Sequence, residues 1–349
     1  MGLLDGVRVL DLTVWRPGPY ATQLLAELGA DVLKVEPPGG DPMRIYPELF
    51  ASLHANKRSI VVDLKTGAGR ARVLELAAGA DVVIEGFRPG VVDRLGVGPG
   101  DVAAVNTSAI YCSVSGMGQD GPLALASGHD LNYIAWAGAL APHGGDPAVP
   151  AVPIADLAGG MAAALGVCAA LVRRGRTGEG ERIDVAMADV LATWTGAAEP
   201  TVAGMERVER GVPGYGVFAT SDGHLTLGIL TEDHFWHALC STLGLDDCAA
   251  LPFAERTARL GELQARIASA IGDRRRDELV TELLAAGVPV APVLDRAGML
   301  AVEHFKERGI VTGGPRTGYP ICFERHPGAA TSPPPGLDEH HGSGWLARE

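Results

Sequence analysis

The sequence predicts an α/β protein with a parallel β-sheet covered by helices, followed by a smaller α+β domain. Short apolar, β-rich runs alternate with helical segments through the first 190 residues, an order typical of parallel sheets. After that point a glycine-rich stretch leads into a hairpin pattern and then into further helices. With 349 residues, 47% of them apolar, the chain is long enough to form two domains with separate cores.

The first segment predicts a strand, a helix and a second strand. Residues 7–13 are apolar and β-rich, and residues 20–28 have apolar side chains at helical spacing up to Gly29, which ends the helix. Residues 31–36 are extended again and end on Glu36. An acid at that place is typical of dinucleotide-binding folds, but the first turn reads TVWRPGPYA and lacks the GxGxxG motif that holds a pyrophosphate. We therefore discount NAD and FAD as cofactors.

The same alternation predicts the rest of the sheet. Further strands are expected at SIVVDL (59–64), DVVIEG (81–86) and SAIYCSVSG (108–116), with an Ala/Leu-rich helix before Gly79. Strands of this kind, joined by helices, form a parallel sheet with helices on both faces.

The second half predicts a small domain. FATSDGHLTLGI (218–229) is typical of a hairpin around Ser-Asp-Gly, and helical patterns follow at 232–243, 259–271 and 275–286. We expect a large domain of residues 1–190 that is completed by 326–349, a linker at 191–216, a small domain at 217–303 and a second linker at 304–325.

The charge of the chain bears on its partners. It has 29 Lys and Arg against 42 Asp and Glu, for a net charge of −13. An acidic surface repels the phosphate backbone, so nucleic acid is not an expected partner. An anionic small molecule would have to be held by a local cluster of Arg and Lys side chains.

Cysteine usage and apolar runs bear on the compartment. Five scattered cysteines without CxxC spacing predict neither a disulfide framework nor a metal site. The start MGLLDGVRVLDL lacks the basic end and long apolar run of a secretory signal. The apolar stretch 157–172 is shorter than the ~18 residues of a membrane span and predicts a buried helix instead. We expect a reducing, cytoplasmic location and no membrane partner.

Asp156 is a candidate functional acid at the start of that helix. In VPIADLAGGMAAALG an extended piece is expected to end at Asp156, which would then be the N-cap, with its carboxylate at the positive end of the helix dipole. A plain capping role is the common one for such an aspartate. Gly159 and Gly160 follow, and glycine in a helix costs about 0.5–1 kcal/mol relative to alanine. They indicate close approach either of a ligand or of another backbone.

His129 is the second candidate. It precedes Asp130 and the apolar helical run IAWAGAL, where an inert hydrogen-bonded histidine would also be ordinary. An imidazole titrates near neutrality and can both take and return a proton. Because His129 and Asp156 both lie where a loop leads into a helix, and such loops share one edge of a parallel sheet, we expect them to face one pocket.

These residues stand in motifs that resemble the family III CoA-transferases, or CaiB/BaiF family, and within it the α-methylacyl-CoA racemases. The resemblance runs through GPYATQLLAELGADVLKVEPP, NKRSIVVDLKT, ADVVIEGFRPGVVDRLG, SGHDLNYIAWAGAL, GRTGEGERIDVAMAD and FATSDGHLTLGILTEDHFW. It implies a Rossmann-like large domain, a smaller domain and two chains interlocked as a homodimer.

The resemblance also implies a binding site for acyl-CoA, with the CoA moiety as part of the substrate and no separate cofactor. Four of the matching positions are cations suited to phosphate groups. The positions that correspond to CoA contacts are Trp15, Arg16, Val62, Leu64, Lys65, Gly86, Phe87, Arg88, Arg94 and Asp130.

The reaction implied by the resemblance is one of two. In the racemases, residues that match His129 and Asp156 exchange the α-proton of a 2-methylacyl-CoA on opposite faces, and a residue that matches Glu232 orients the histidine. In the transferases, an aspartate that matches Asp156 attacks the thioester, and no histidine is needed. GHDLNY supplies the second base, so we expect a racemase or epimerase. A CoA-transferase and an inactive CoA-binding scaffold are the alternatives.

Overall fold

A computed structural model gives the structure of residues 2–140, 147–198, 211–313, 317–326 and 331–347. The chain divides into two compact units. The large unit contains Met1–Gly196 and His304–Glu349, and the small unit contains Ala197–Glu303. In sequence, the small unit is therefore an insertion in the large one.

The large unit is built on a six-stranded parallel sheet. Its strands are β1 (Arg8–Leu12), β2 (Asp31–Glu36), β3 (Lys57–Val61), β4 (Val82–Glu85), β5 (Ile110–Ser115) and β6 (Glu181–Ala186). They are arranged in the order β3-β2-β1-β4-β5-β6, with every neighbouring pair parallel. This is the Rossmann order, in which the direction of winding reverses between β1 and β4. The predicted parallel sheet is confirmed.

Helices cover both faces of this sheet. They are α1 (Pro17–Glu27), α2 (Pro47–His54), α3 (Gly67–Ala78), α4 (Val91–Leu95), α5 (Pro99–Val105), α6 (Asp130–Trp136), α7 (Ile154–Thr177) and α8 (Met187–Ala198). Alternate residues of a strand point to opposite faces, so Val9 packs in one apolar core and Leu10 in the other. The first core contains side chains of α1 and α7, and the second contains side chains of α3 and α5.

Helix α7 differs from the prediction at its start. It begins at Ile154 with Pro153 as the N-cap, so Asp156 lies in the first turn and is not the capping residue. The prediction failed because a proline is already compatible with the first positions of a helix, where no N–H partner is needed. The expected N-cap role of Asp156 is therefore wrong.

The length of α7 also bears on the membrane question. The helix has 24 residues and is the one helix within the described ranges that is long and apolar enough to cross a membrane, by length and composition alone. In its most apolar stretch, 44% of the residues are buried inside the protein. The core helix of a soluble protein meets the same criteria, so this single helix is weak evidence of a membrane span.

The two glycines of α7 serve packing between protein segments. A Cβ atom on Gly160 would lie 2.6 Å from the carbonyl oxygen of Pro17, and one on Gly159 would lie 2.5 Å from Cγ of Met187. Both distances are shorter than a carbon atom tolerates. The sequence left open whether a ligand or another part of the chain approaches these glycines. In the structure, other parts of the chain, Pro17 and Met187, approach them closely.

The small unit has its own sheet and core. Its strands are β7 (Tyr215–Thr220), β8 (Gly223–Gly228) and β9 (Val290–Pro292), and its helices are α9 (Asp233–Leu243), α10 (Phe253–Ala258), α11 (Leu260–Gly272), α12 (Arg276–Ala285) and α13 (Arg296–Ala301). The β7–β8 pair is the predicted antiparallel hairpin. Trp236 and Ile267 are among the side chains of its core. Helix α14 (Glu303–Glu307) follows.

The first predicted linker is partly helical. Residues 191–198 form the last two thirds of α8, while 199–210 lie outside the described residues. Residues 211–214 lead directly into β7. This strand begins at Tyr215, two residues before the expected start of the small domain at 217.

The C-terminal segment packs on the large unit. The indole Nε1 of Trp345 donates to the carbonyl oxygen of Leu76 (2.9 Å), and the carboxylate of Asp338 accepts the backbone N–H of Val61 (2.8 Å). A guanidinium N–H of Arg8 donates to the Leu346 carbonyl (2.7 Å). Residues 331–347 thus belong to the large unit, in contact with residues some 280 positions earlier.

Candidate active site

A cavity of about 1510 Å³ lies at the carboxyl ends of the strands of the large unit. Its walls come from the loops after β1, β2, β4 and β5, together with the starts of α6 and α7. This is the edge where winding reverses between β1 and β4, and Rossmann-like sheets bind their ligands there. Eight of the predicted site residues line the cavity: Trp15, Arg16, Gly86, Phe87, Arg88, His129, Asp130 and Asp156.

Asp156 and Asp130 lie side by side in this cavity. The carboxylate of Asp130 accepts the backbone N–H of Asp156 at 3.0 Å, which ties the starts of α6 and α7 together. Burial, reinforced by the negative charge of Asp130, raises the pKa of Asp156 to about 6, and the charges of Arg16 and His129 oppose this rise. The carboxyl group of Asp156 therefore exchanges a proton close to neutral pH.

His129 precedes the first residue of α6 and lines the same cavity. Its backbone is extended, and its N–H is accepted by the side-chain oxygen of Asn132 at 3.0 Å. Tyr133, one residue further on, is buried below the loop, and its hydroxyl donates to the carbonyl oxygen of Gly128 at 2.6 Å. The backbone around His129 is thus fixed, while the imidazole itself is exposed to the cavity.

The loop after β1 brings an aromatic side chain and a cation to the cavity. Trp15 has a φ of 64°, in the left-handed region that non-glycine residues rarely occupy. Arg16 is half-buried beside it, and Arg88 is exposed on the loop after β4. Neither arginine forms an ion pair with another described residue, so both are available to an anionic ligand.

Four predicted CoA contacts do not line the cavity. Val62 and Leu64 pack in the apolar core on one face of the sheet, while Lys65 and Arg94 are exposed outside the described cavity wall. Their assignment to CoA stays a prediction.

Glu232 belongs to the small unit. It is the residue before α9, and its carboxylate accepts the N–H of Leu230 at 2.9 Å. Hydrogen bonds from the backbone N–H groups of Glu232 itself and of Leu230 lower its pKa. The carboxylate is thus engaged with its own loop, and its predicted action on His129 remains a prediction.

Sequence reasoning missed the wall formed by the segment after β2. Met43, Ile45, Tyr46 and Leu49 line the cavity, and Ile45 and Tyr46 are large apolar side chains left exposed. A signal existed in the sequence: Pro42 and Pro47 are typical of the first position of a helix, and they begin a short 3₁₀ helix (Pro42–Ile45) and α2.

Comparison with known proteins agrees with this architecture. The profile of "CoA-transferase family III" matches residues 4–341. The chain is 35% identical over 320 residues to the acetyl-CoA:oxalate CoA-transferase of Acetobacter aceti, covering 85% of this chain and 82% of that protein. It is 32% identical over 318 residues to the human alpha-methylacyl-CoA racemase, covering 88% and 81%. A CaiB/BaiF family protein from Brucella suis superposes with a TM-score of 0.86 at 31% identity, covering 97% of this chain and 98% of that one. The chain therefore belongs to CoA-transferase family III, an enzyme family that includes both CoA-transferases and acyl-CoA racemases.

Proposed function

We propose that the protein is a racemase or epimerase of 2-methylacyl-CoA thioesters that works by 1,1-proton transfer. The observation that carries the proposal is the presence of two ionisable groups, His129 and Asp156, on the wall of one cavity. Inversion at a carbon requires one group to remove the proton and another to return it from the opposite face. The pKa of Asp156, raised to about 6, suits a group that must do both.

In the proposed reaction, Asp156 or His129 takes the α-proton of the substrate. The electron pair of the broken C–H bond forms the C=C bond of an enolate, and the thioester oxygen becomes negative. The positive end of α7 stabilises that charge. The second group then donates its proton to the α-carbon from the other face, and the oxygen regains its double bond to carbon.

The same proposal accounts for the rest of the site. Arg16 and Arg88 hold the phosphate groups of CoA, Trp15 and Phe87 contact its apolar parts, and CoA enters as part of the substrate with no further cofactor. The unpaired state of all five cysteines is the observation that supports the proposed reducing, cytoplasmic setting. The proposal includes no membrane partner.

The proposed enzyme is an interlocked homodimer. Support comes from α7, where Met161, Leu165 and Val172 are 51%, 72% and 59% exposed on one side of the helix. Apolar side chains in such a row are typical of a surface that a second chain covers.

A CoA-transferase is the second candidate. The comparison with the Acetobacter aceti enzyme favours it, since that protein is named for CoA transfer. In this case the carboxylate of Asp156 attacks the thioester and forms an acyl–aspartyl anhydride, with CoA leaving as the thiolate. The thiolate then attacks the aspartyl carbonyl of this anhydride, which releases the first carboxylate and leaves an aspartyl–CoA thioester at Asp156. A second carboxylate attacks that thioester and forms a new anhydride with Asp156, while CoA leaves again as the thiolate. The thiolate finally attacks the carbonyl of the second acyl group, which gives the new acyl-CoA and frees the Asp156 carboxylate, so that His129 is dispensable.

The deciding experiment follows (R)- and (S)-2-methylacyl-CoA in heavy water. The racemase predicts α-deuteration with loss of configuration, abolished in both His129→Gln and Asp156→Asn. The exposed carboxylate of Asp120 lies outside the cavity wall, so Asp120→Asn serves as the control. Transfer of CoA to an added free carboxylic acid that needs Asp156 but tolerates His129→Gln would support the transferase instead, and binding without turnover would support a scaffold.

A further inference from the structure

Three neighbouring strands of the large unit end in acids that are buried and are not part of the cavity wall. Asp11 near the end of β1, Glu36 at the end of β2 and Glu85 at the end of β4 have exposures of 0%, 0% and 1%. Burial of a carboxylate is costly unless hydrogen bonds or opposite charges compensate it. Each of the three accepts at least one hydrogen bond from a backbone N–H in the segment that follows its strand.

Asp11 holds the loop after β1. Its carboxylate accepts the backbone N–H of Thr13 at 2.9 Å and the Thr13 hydroxyl at 2.5 Å. The carbonyl oxygen of the same Thr13 accepts a hydrogen bond from the buried ammonium of Lys34 at 2.7 Å. Both polar groups of the Thr13 backbone are therefore fixed, two residues before Trp15 and its left-handed φ of 64°. A strained residue persists only where its surroundings determine its conformation.

Glu85 holds the loop after β4 in the same way. Its carboxylate accepts the backbone N–H of Phe87 at 2.7 Å, and the Ser113 hydroxyl also bonds to it. Phe87 and the adjacent Arg88 line the cavity. Leu12 of β1 lies opposite Glu85 in the sheet. The hydrogen bond from Phe87 to Glu85 is therefore close to the hydrogen bonds from Thr13 to Asp11. The two acids lie on the neighbouring strands β4 and β1, between which the direction of winding reverses.

Glu36 holds the segment after β2. Its carboxylate accepts the backbone N–H of Asp41 at 2.8 Å and pairs with Arg44 through two N–H donors, at 2.7 and 2.6 Å. Arg44 also donates to the carbonyl oxygen of Pro335 at 3.2 Å. The cavity residues Met43 and Ile45 are the immediate neighbours of Arg44.

We propose that Asp11, Glu36 and Glu85 are positioning residues that build the walls of the acyl-CoA cavity, each by fixing the loop that follows its strand. The inference rests on the proposed function in that the cavity is taken to bind acyl-CoA. The acids act through the backbone N–H groups of the loops and, for Glu36, through Arg44, and they do not contact the substrate.

Glu85 gives the sharpest test, because Asp81 provides a matched control at the opposite end of the same strand. Asp81 is also buried, and its carboxylate accepts the backbone N–H of Arg8 at 2.8 Å, but it lies at the amino edge of the sheet, away from the cavity. Glu85→Met removes the acceptor for the Phe87 N–H, whereas Glu85→Gln retains one. Asp81→Leu removes the acceptor for the Arg8 N–H and also the ion-pair partner of Arg174 (2.8 Å).

The measurement is the Kd of isobutyryl-CoA by calorimetry, together with the circular dichroism spectrum and Tm of each variant. This thioester has no stereocentre at C2, so racemisation does not alter it. We expect Glu85→Met to weaken binding roughly tenfold, as the loop that carries Phe87 and Arg88 shifts. Glu85→Gln should bind within about twofold of the unsubstituted protein, and Asp81→Leu should lower Tm while its Kd is unchanged.

Two outcomes would overturn the inference while leaving the proposed function intact: a folded Glu85→Met that binds as tightly as the unsubstituted protein, or an Asp81→Leu that loses affinity equally. Failure of the unsubstituted protein to bind isobutyryl-CoA would refute both. If Glu85→Met does not fold, Arg44→Met is the second variant. It removes the ion pair between Arg44 and Glu36 that fixes the segment after β2, and the Arg44 side chain is 20% exposed, so its loss disturbs the core less. Unchanged affinity in that variant would then count against the inference.

Discussion

Replacement of Asp156 by asparagine should make the protein more stable at high pH. In the folded protein, burial and the nearby Asp130 carboxylate raise the pKa of Asp156 from 3.8 to about 6. Ionisation of Asp156 is therefore harder in the folded chain than in the unfolded one. Above pH 6 the group is ionised in both states and the folded state carries the full cost. Below pH 3.8 it is protonated in both states and the cost vanishes.

The size of the effect follows from the shift. A change of about two pKa units corresponds to about 3 kcal/mol at pH 8, and partial exposure of the carboxylate to the cavity reduces this to about 1–3 kcal/mol. Asp156→Asn should raise the free energy of unfolding by that amount at pH 8. At pH 5 the gain should be roughly half as large, because the folded-state carboxyl is then mostly protonated.

Urea unfolding at pH 5, 6, 7 and 8, at one protein concentration, measures this gain. Asp120→Asn, which removes an exposed carboxylate outside the cavity wall, should change the stability by less than about 0.5 kcal/mol at each pH. A loss of stability in Asp156→Asn at pH 8, or a gain that does not depend on pH, would refute the reasoning.

Two further predictions concern the pH profile and helix packing. For the enantiomer whose α-proton Asp156 removes, kcat/KM for deuterium exchange should rise as the pH increases through about 6, and a profile without that inflection would contradict the role of Asp156 as a base. Gly160→Ala should destabilise the protein by about 1–3 kcal/mol, since its Cβ would lie 2.6 Å from the Pro17 carbonyl oxygen. Gly175 lies on the same helix, and a Cβ atom there would have no other atom within 4 Å, so Gly175→Ala should stabilise the protein by up to about 1 kcal/mol. Equal changes in Tm for the two variants would contradict the view that Gly160 is required for close packing against Pro17.

Strands β1 to β5 of the large sheet could be predicted because most of their residues are buried. Strand β6 was not predicted, because it lies at the edge of the sheet and only its last two residues are buried. Apolar, β-branched runs such as residues 31–36 correspond to β2 residue for residue. The three-residue strand β9 was missed, because Val290 and its neighbours are flanked by prolines and form a strand only through pairing with β8. Its existence depends on a partner some 65 positions earlier, which local sequence does not reveal.

The candidate site was predicted in part. Placement of His129 and Asp156 on one sheet edge followed from the parallel layout, and both residues line the cavity. The geometry of Asp156 was not foreseen, because it depends on a hydrogen bond from its N–H to Asp130, 26 residues away. Nor could the sequence reveal the left-handed backbone of Trp15, since the loop before it is fixed by distant buried groups such as Lys34, which donates to the Thr13 carbonyl oxygen.

The packing of residues 331–347 on the large unit has a consequence for how the chain folds. Val61 and Trp345 belong to one unit, yet the whole small unit is synthesised between them. During translation the amino-terminal sheet emerges early and must wait for these contacts until residues 331–347 leave the ribosome. The small unit is continuous in sequence and has no such delay. Contacts of this sequence separation form slowly, so the sheet edge that these residues complete stays open during synthesis.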